Sequence, residues 1–260
     1  MRRERGMPIE PEVVTSWTRE NVAEAARDLE TAAPEAVLRW AVSAFASDIA
    51  LASSFGVEDV VLIDMWWRMN SEVRVFSLDT GRLPEETYEV MERVRARYGI
   101  SIQAFFPNAA AVEALERERG FYSFRRSVEE RKHCCHIRKV ESLRRALAPL
   151  RAWVTGLRRE QALTRTGIAV VDWDSTHGLV KVNPLAQWTE EQVWAYIREH
   201  DVPYNALHDR GYPSIGCAPC TRAIRPGEDI RAGRWWWENP EHKECGLHVG
   251  SGNSDPRRSA

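Results

Sequence analysis

Five cysteines carry the chemistry legible in this 260-residue sequence. Cys134 and Cys135 are adjacent within KHCCHIRK, Cys217 and Cys220 form CAPC, and Cys245 stands alone in KECGLH. Adjacent cysteines rarely bridge each other, because the eight-membered ring departs from relaxed disulfide geometry. A CC pair and a CxxC pair together supply four thiolates, the complement of a tetrahedral metal ion or an iron–sulfur cubane. Structural zinc favours CxxC knuckles whose sulfurs reach one ion at about 2.3 Å. Neighbouring side chains on a helix splay by roughly 100°, which suits a cluster offering each sulfur its own iron. Spacing therefore places a 4Fe–4S cluster ahead of zinc and leaves zinc open. CxxC is also a redox motif of thioredoxin-like proteins, but here it does not precede a helix in a first βαβ unit.

Arg138 and Lys139 follow Cys134 and Cys135 by four residues each. On a helix each cation shares a face with one thiolate, where it would tune a cluster or link it to a bound anion. Ordinary surface basicity is the competing expectation, stronger for Arg138 than for Lys139. The surrounding segment 117–165 holds 14 Lys/Arg against 5 Asp/Glu, although the whole chain has a formal charge of −2. A basic segment in a near-neutral chain points to an anionic ligand, not to general nucleic-acid or membrane affinity. No apolar run approaches the roughly 20 residues of a membrane span, and MRRERGMPIEPE has no secretory apolar core. The expected location is cytoplasmic, where cysteines serve metals or catalysis in preference to disulfides.

Strand and helix patterns alternate through the middle of the chain. IALASSF (49–55), VRVFSLD (73–79) and ISIQAFF (100–106) read as strands, followed by AWVTGL, IAVVDWD and LVKVNPL. Helices are expected over 58–70, 84–98 and 128–147, the last carrying the CC pair. Thr189 and Gln192 form a capping box for a helix reaching about 200, with Trp188 stapled on Val193. Such alternation predicts an α/β fold with a doubly wound, mostly parallel sheet. Segment 1–40 is expected to be an arm and helix, 41–240 the α/β domain, and 241–260 a mobile tail. Ligands bind such sheets at the carboxyl ends of the strands. SSFGVED (53–59) and LDTGR (78–82) leave strands there, and small residues let backbone N–H groups approach an anion.

CCHIRKVESL, WVTGLRREQ, GYPSIGCAPCTRAI, GRWWWE and KECGLH, with SFGVEDVVLIDM and LDTGRLPEETY, resemble assimilatory, thioredoxin-dependent adenylyl-sulfate (APS) reductase of the PAPS/APS reductase family. The resemblance spans about 49–248. It implies a Rossmann-like fold of the adenine nucleotide α-hydrolase type. Pyrophosphatase relatives carry SGGxDS, and one glycine of that loop is missing here, which argues against ATP cleavage. The resemblance assigns a 4Fe–4S cluster to Cys134, Cys135, Cys217 and Cys220, and makes Cys245 the nucleophile. Lys139, Arg165, Arg231 and Arg234 align with substrate-contacting positions; Ser54, Asp59, Gly156 and His248 are further candidates. Lys243 and His248 could lower the Cys245 thiol pKa. Asp79 is as fitting as a loop cap, and core or interface packing is expected of at least two of Trp235, Trp236 and Trp237. The implied reaction turns APS into sulfite and AMP through an S-sulfocysteine, with thioredoxin as a separate reductant. The alternatives are a phosphoadenylyl-sulfate (PAPS) reductase, an RNA-modifying sulfurtransferase of the ATP-pyrophosphatase type, and a non-enzymatic nucleotide-binding module held by zinc. A homo-oligomer is compatible with all of these.

Overall fold

The computed structural model describes residues 17–69, 72–161 and 165–239. Six strands form one sheet in the order β3-β2-β1-β4-β6-β5. They are β1 (Ile49–Ala52), β2 (Val75–Leu78), β3 (Ile102–Phe105), β4 (Ala152–Val154), β5 (Val171–Asp174) and β6 (Leu179–Val182). Every pairing is parallel except that of edge strand β5 with β6. The apolar runs of β1 and β4 are buried because helices cover both faces of a parallel sheet.

Helices α3 (Val57–Arg68), α4 (Glu85–Tyr98) and α5 (Ala109–Arg119) follow β1, β2 and β3. Helix α8 (Glu190–His200) starts at the expected capping box: Gln192 N–H donates to Thr189 Oγ1, and Thr189 N–H donates to Gln192 Oε1. Two helices precede the sheet, α1 (Arg19–Leu29) and α2 (Pro34–Phe45). Val22 of α1 and Val37, Leu38, Ala41 and Phe45 of α2 are buried in the same core as β1 and α3. Among the described residues no helix is long and apolar enough to cross a membrane.

The strands are shorter than their apolar runs. The run from 49 stops pairing at Ala52, and Phe55, buried, turns left-handed at φ 59. That conformation is costly for a bulky residue and ends the strand where a loop is needed. The single helix expected over 128–147 is also modified. It runs as α6 (Val128–Cys135), a π-helical turn (His136–Val140) and α7 (Glu141–Leu147). Such π-turns rotate side chains out of regular helical register, here immediately after the CC pair.

Candidate functional site

The chain adds β2 and β3 on one side of β1, then crosses to place β4 on the other. The carboxyl ends of β1 and β4 therefore flank a topological switch point, where doubly wound sheets leave a crevice. A cleft of about 250 Å³ opens there, lined by Ser53, Ser54, Glu58, Thr80, Thr155, Gly156 and Arg158, with Lys139, Arg165, Arg231 and Arg234 on its walls. All four cations expected to contact an anion thus reach one cavity from separate parts of the chain. Its apolar lining includes Ala52, Phe76, Leu78, Leu143 and Trp153.

The loop after β1 is held from inside. Ser54 donates to Asp59 Oδ2 through its N–H at 2.6 Å and its hydroxyl at 2.9 Å. Burial lifts the Asp59 carboxyl to about 6, against the lowering effect of the Ser54 hydrogen bonds. Asp59 therefore commits Oδ2 to the loop. Gly156 faces it at van der Waals range, since a Cβ there would lie 2.5 Å from Asp59 Oδ1. Arg158 lies deeper than the other cations. Its Nε donates to Glu58 at 2.9 Å and Nη1 to Glu160 at 3.0 Å, so it braces the cleft wall.

Arg234 is buried and donates through Nη1 to the Ile215 carbonyl at 3.0 Å. Its guanidinium also lies 4.7 Å from the Trp235 ring centre. Gly216 is the residue beneath it; any Cβ at that position would fall on the guanidinium. Arg165 donates to Gln161 Oε1 at 2.6 Å, and the Arg231 N–H donates to Asp229 at 2.8 Å.

One wall of the cleft continues into the cysteines. Cys134, Cys217 and Cys220 belong to one buried cluster with Leu115, Phe124, Ile137 and Trp235. Charge coupling reaches from Cys134 to Cys217 and from Cys220 to Cys135, so each thiol of the CC pair lies near one of the CAPC pair. The CAPC segment is fixed at both ends. Ala218 N–H donates to the Arg82 carbonyl at 2.8 Å, and Trp235 N–H to the Cys220 carbonyl at 3.1 Å. Thr80 Oγ1 lies 3.2 Å from Cys217 Sγ.

Burial pushes the Cys220 thiol up to about 12, reinforced by Cys217 and Cys135. Burial also raises Cys134, opposed by Arg138. At Cys217 burial is outweighed by Lys139, Thr80, Arg234 and Arg138, and its pKa falls below the usual thiol value. Arg138 is thus no surface cation, contrary to expectation. It is 6% exposed, donates to the Thr80 carbonyl at 2.8 Å and pairs with Glu116. Lys139 lines the cleft while its charge reaches Cys217 and Cys220, joining the two sites.

Among the described residues, no three His, Cys, Asp or Glu side chains gather as ligands of one metal ion. The buried polar atoms left unsatisfied near the cysteines are mostly donors, although Glu116 Oε2 is an unpartnered acceptor among the described residues. Arg138 Nε, Arg234 Nε and the Trp235 and Trp237 indole nitrogens are buried without acceptors among the described residues. Buried donors of this kind call for an electron-rich acceptor, which suits the sulfides and thiolates of an anionic cluster.

The segment after CAPC is locked by a buried ion pair. Arg131 on α6 donates to Glu238 at 2.8 Å, with side chains 0% and 4% exposed. The same guanidinium sits 4.4 Å from the Trp235 ring centre. Removing one partner of such a pair strands the other charge. Arg131→Met is expected to cost about 3 kcal/mol or more of stability, read as a lower denaturant midpoint; an unchanged midpoint would show that Glu238 finds water instead.

Cys245, Lys243 and His248 lie outside the described residues. Asp79 caps its loop by accepting from Gly81 N–H at 2.8 Å. Trp235 is buried and Trp237 packs against the cysteine cluster, while Trp236 is exposed. Sequence reasoning passed over Arg158, Thr80 and Trp153 as site residues. For Thr80 and Arg158 the signal was position, since they follow β2 and β4 at the sheet's carboxyl edge, whereas Trp153 lies within β4.

Residues 48–223 match the family model described as "phosphoadenosine phosphosulfate reductase domain". Adenosine 5'-phosphosulfate reductase of Allochromatium vinosum is 56% identical over 77% of this chain and 78% of its own. The protein of the same name from Pseudomonas aeruginosa is 48% identical over 87% of this chain and 86% of its own. The crystal structure of phosphoadenylyl-sulfate reductase from Candida auris superposes with a TM-score of 0.69 at 30% identity, covering 80% of this chain and 98% of that one. The FMN adenylyltransferase of Candida glabrata shares the fold alone, with a TM-score of 0.52 at 12% identity. On sequence and fold together, the chain belongs to the PAPS/APS reductase family.

Proposed function

We propose that this protein reduces adenylyl sulfate to sulfite and AMP in assimilatory sulfate reduction, with Cys245 as nucleophile and thioredoxin as reductant, in the cytoplasm. The observation that carries the reading is the cleft itself. It offers an apolar pocket, a loop at a helix N-terminus and four cations, the complement of an adenylate bearing a second anionic group. Relatives at 48–56% identity are named for the same substrate.

The Cys245 thiolate attacks the sulfate sulfur, and the bond from that sulfur to the bridging oxygen breaks. AMP leaves with the electron pair. The product is S-sulfocysteine. A thioredoxin thiolate then attacks Cys245 Sγ and expels sulfite, forming a mixed disulfide; the second thioredoxin thiol releases the Cys245 thiolate. One dithiol is oxidised per sulfite formed, and the two electrons balance. Lys139, Arg165, Arg231 and Arg234 would hold the phosphate and sulfate oxygens and offset charge developing on the leaving phosphate.

Cys134, Cys135, Cys217 and Cys220 would hold a 4Fe–4S cluster. Such a cluster, when bound, would tie α6 to the CAPC segment and contribute to the electrostatic field around Lys139. Arg138, donating to the Thr80 carbonyl, and Thr80, beside Cys217 Sγ, would hold the wall between that group and the cleft.

Two measurements test this reading. Sulfite release with thioredoxin is expected from adenylyl sulfate in preference to the 3'-phosphorylated nucleotide; the reverse preference favours the PAPS alternative. Anaerobically purified protein is expected to be brown, to absorb near roughly 400 nm and to contain iron, as Cys₄ ligation gives. Colourless protein holding zinc would overturn the cluster assignment.

A further inference from the structure

The connection between α5 and α6 turns two aromatic side chains outward. Phe121 and Tyr122 are 69% and 60% exposed, and Trp236 is 38% exposed. Arg125 joins the two chain segments: its guanidinium lies 5.0 Å from the Tyr122 ring centre and 5.5 Å from that of Trp236. The same guanidinium donates to the Pro219 carbonyl, inside CAPC, at 3.2 Å. Phe124 lies beneath, buried against the cysteines. This aromatic face is therefore the outer side of the wall whose inner side encloses the four thiols. Neither the cleft nor the core uses Phe121 or Tyr122. Exposed aromatics grouped around an arginine are what the centres of protein interfaces are enriched in.

Chain length says what covers this face. Trp236 is three residues from Asn239, the last described position, and Cys245 follows Asn239 by six. Six residues span at most about 20 Å, and the Arg131–Glu238 pair fixes the origin of that span on α6. The sulfur of a protein bonded to Cys245 is therefore held within about that distance of Asn239, three residues beyond Trp236. A small-molecule thiol needs no such surface.

We propose that Phe121, Tyr122 and Trp236 form the docking surface for the protein dithiol, thioredoxin, that regenerates Cys245. The proposal rests on the thioredoxin reading above and adds to it where the partner sits. Docking through these rings positions the dithiol to attack Cys245 Sγ and expel sulfite. The anchor is rigid, because Arg125 ties the rings to Pro219 and Trp236 leans on Trp237 at 4.8 Å between ring centres.

The test is the double variant Phe121→Ser/Tyr122→Ser, compared with the unaltered chain using thioredoxin or dithiothreitol as reductant. The KM for thioredoxin is expected to rise at least about tenfold, the loss of roughly one anchoring aromatic. Sulfite release driven by dithiothreitol and single-turnover AMP release are expected to stay unchanged. An unchanged KM for thioredoxin overturns the proposal, as does a variant that changes oligomeric state, which would make the face a self-association surface. If the double variant does not fold, hydroxyl-radical footprinting of the unaltered protein in its mixed disulfide with thioredoxin decides the matter. Several-fold protection of Phe121, Tyr122 and Trp236 supports docking, and no protection overturns it. Failure of the underlying reading looks different: the unaltered protein then shows no thioredoxin-dependent sulfite release at all, and the docking surface falls with it.

Discussion

Replacing Cys245 by serine is expected to lower AMP release from adenylyl sulfate by about 10³-fold or more, the scale on which removal of a covalent nucleophile acts. A serine hydroxyl stays protonated at neutral pH and lacks the polarisable sulfur that can later be attacked by a second thiol. The loss should appear in the rate of the chemical step. Affinity for the nucleotide should persist, because Lys139, Arg165, Arg231 and Arg234 line the cleft from other parts of the chain. Single-turnover quenched-flow with equilibrium binding separates the two quantities. AMP release at the unaltered rate would remove Cys245 from the first step.

The second large effect is expected at Gly156. A Cβ there would lie 2.5 Å from Asp59 Oδ1, 2.8 Å from Glu58 Cβ and 3.2 Å from the Asp59 nitrogen. Two of those atoms belong to parts that cannot swing aside, so the first turn of α3 and the end of β4 must separate. Asp59 would then move Ser54 and with it the loop that faces the cleft. A displacement near 1 Å in a positioning group costs about 10²-fold. Gly156→Ala is therefore expected to lower kcat/KM for adenylyl sulfate by about that factor, chiefly through KM. The absorbance of the cluster should not change, since the four thiols lie on α6 and the CAPC segment. Steady-state kinetics with an absorbance spectrum checks both, and unaltered kinetics would place the nucleotide elsewhere.

What the sequence revealed follows from the range of the forces involved. The Thr189–Gln192 cap was legible because both hydrogen bonds close within one turn of chain. The parallel sheet was legible because two-sided burial requires apolar runs in β1 and β4. Residue type brought CC and CAPC together as one ligand set. Their proximity depends on long-range contacts, such as Ala218 on the Arg82 carbonyl, that no local pattern encodes. Arg138 was misread for the same reason. Its sequence neighbours are basic, but the residues that bury it, Thr80 and Glu116, come from β2's loop and α5. The π-turn after Cys135 left no sequence trace, and α5 escaped notice because its apolar stripe is short, with only Leu115 buried. Arg158 sits within a quoted motif, yet its bracing of Glu58 needs α3 and β4 side by side.

The most direct test of the account is the mass of the tail peptide. Protein freed of reductant is mixed with adenylyl sulfate, quenched and digested under conditions that preserve thiosulfonates. The peptide holding Cys245 is expected to gain about 80 Da, the SO₃ group of a covalent intermediate, with AMP formed in equal amount. An adduct on any other cysteine, or AMP formed with no adduct at all, would contradict the central claim.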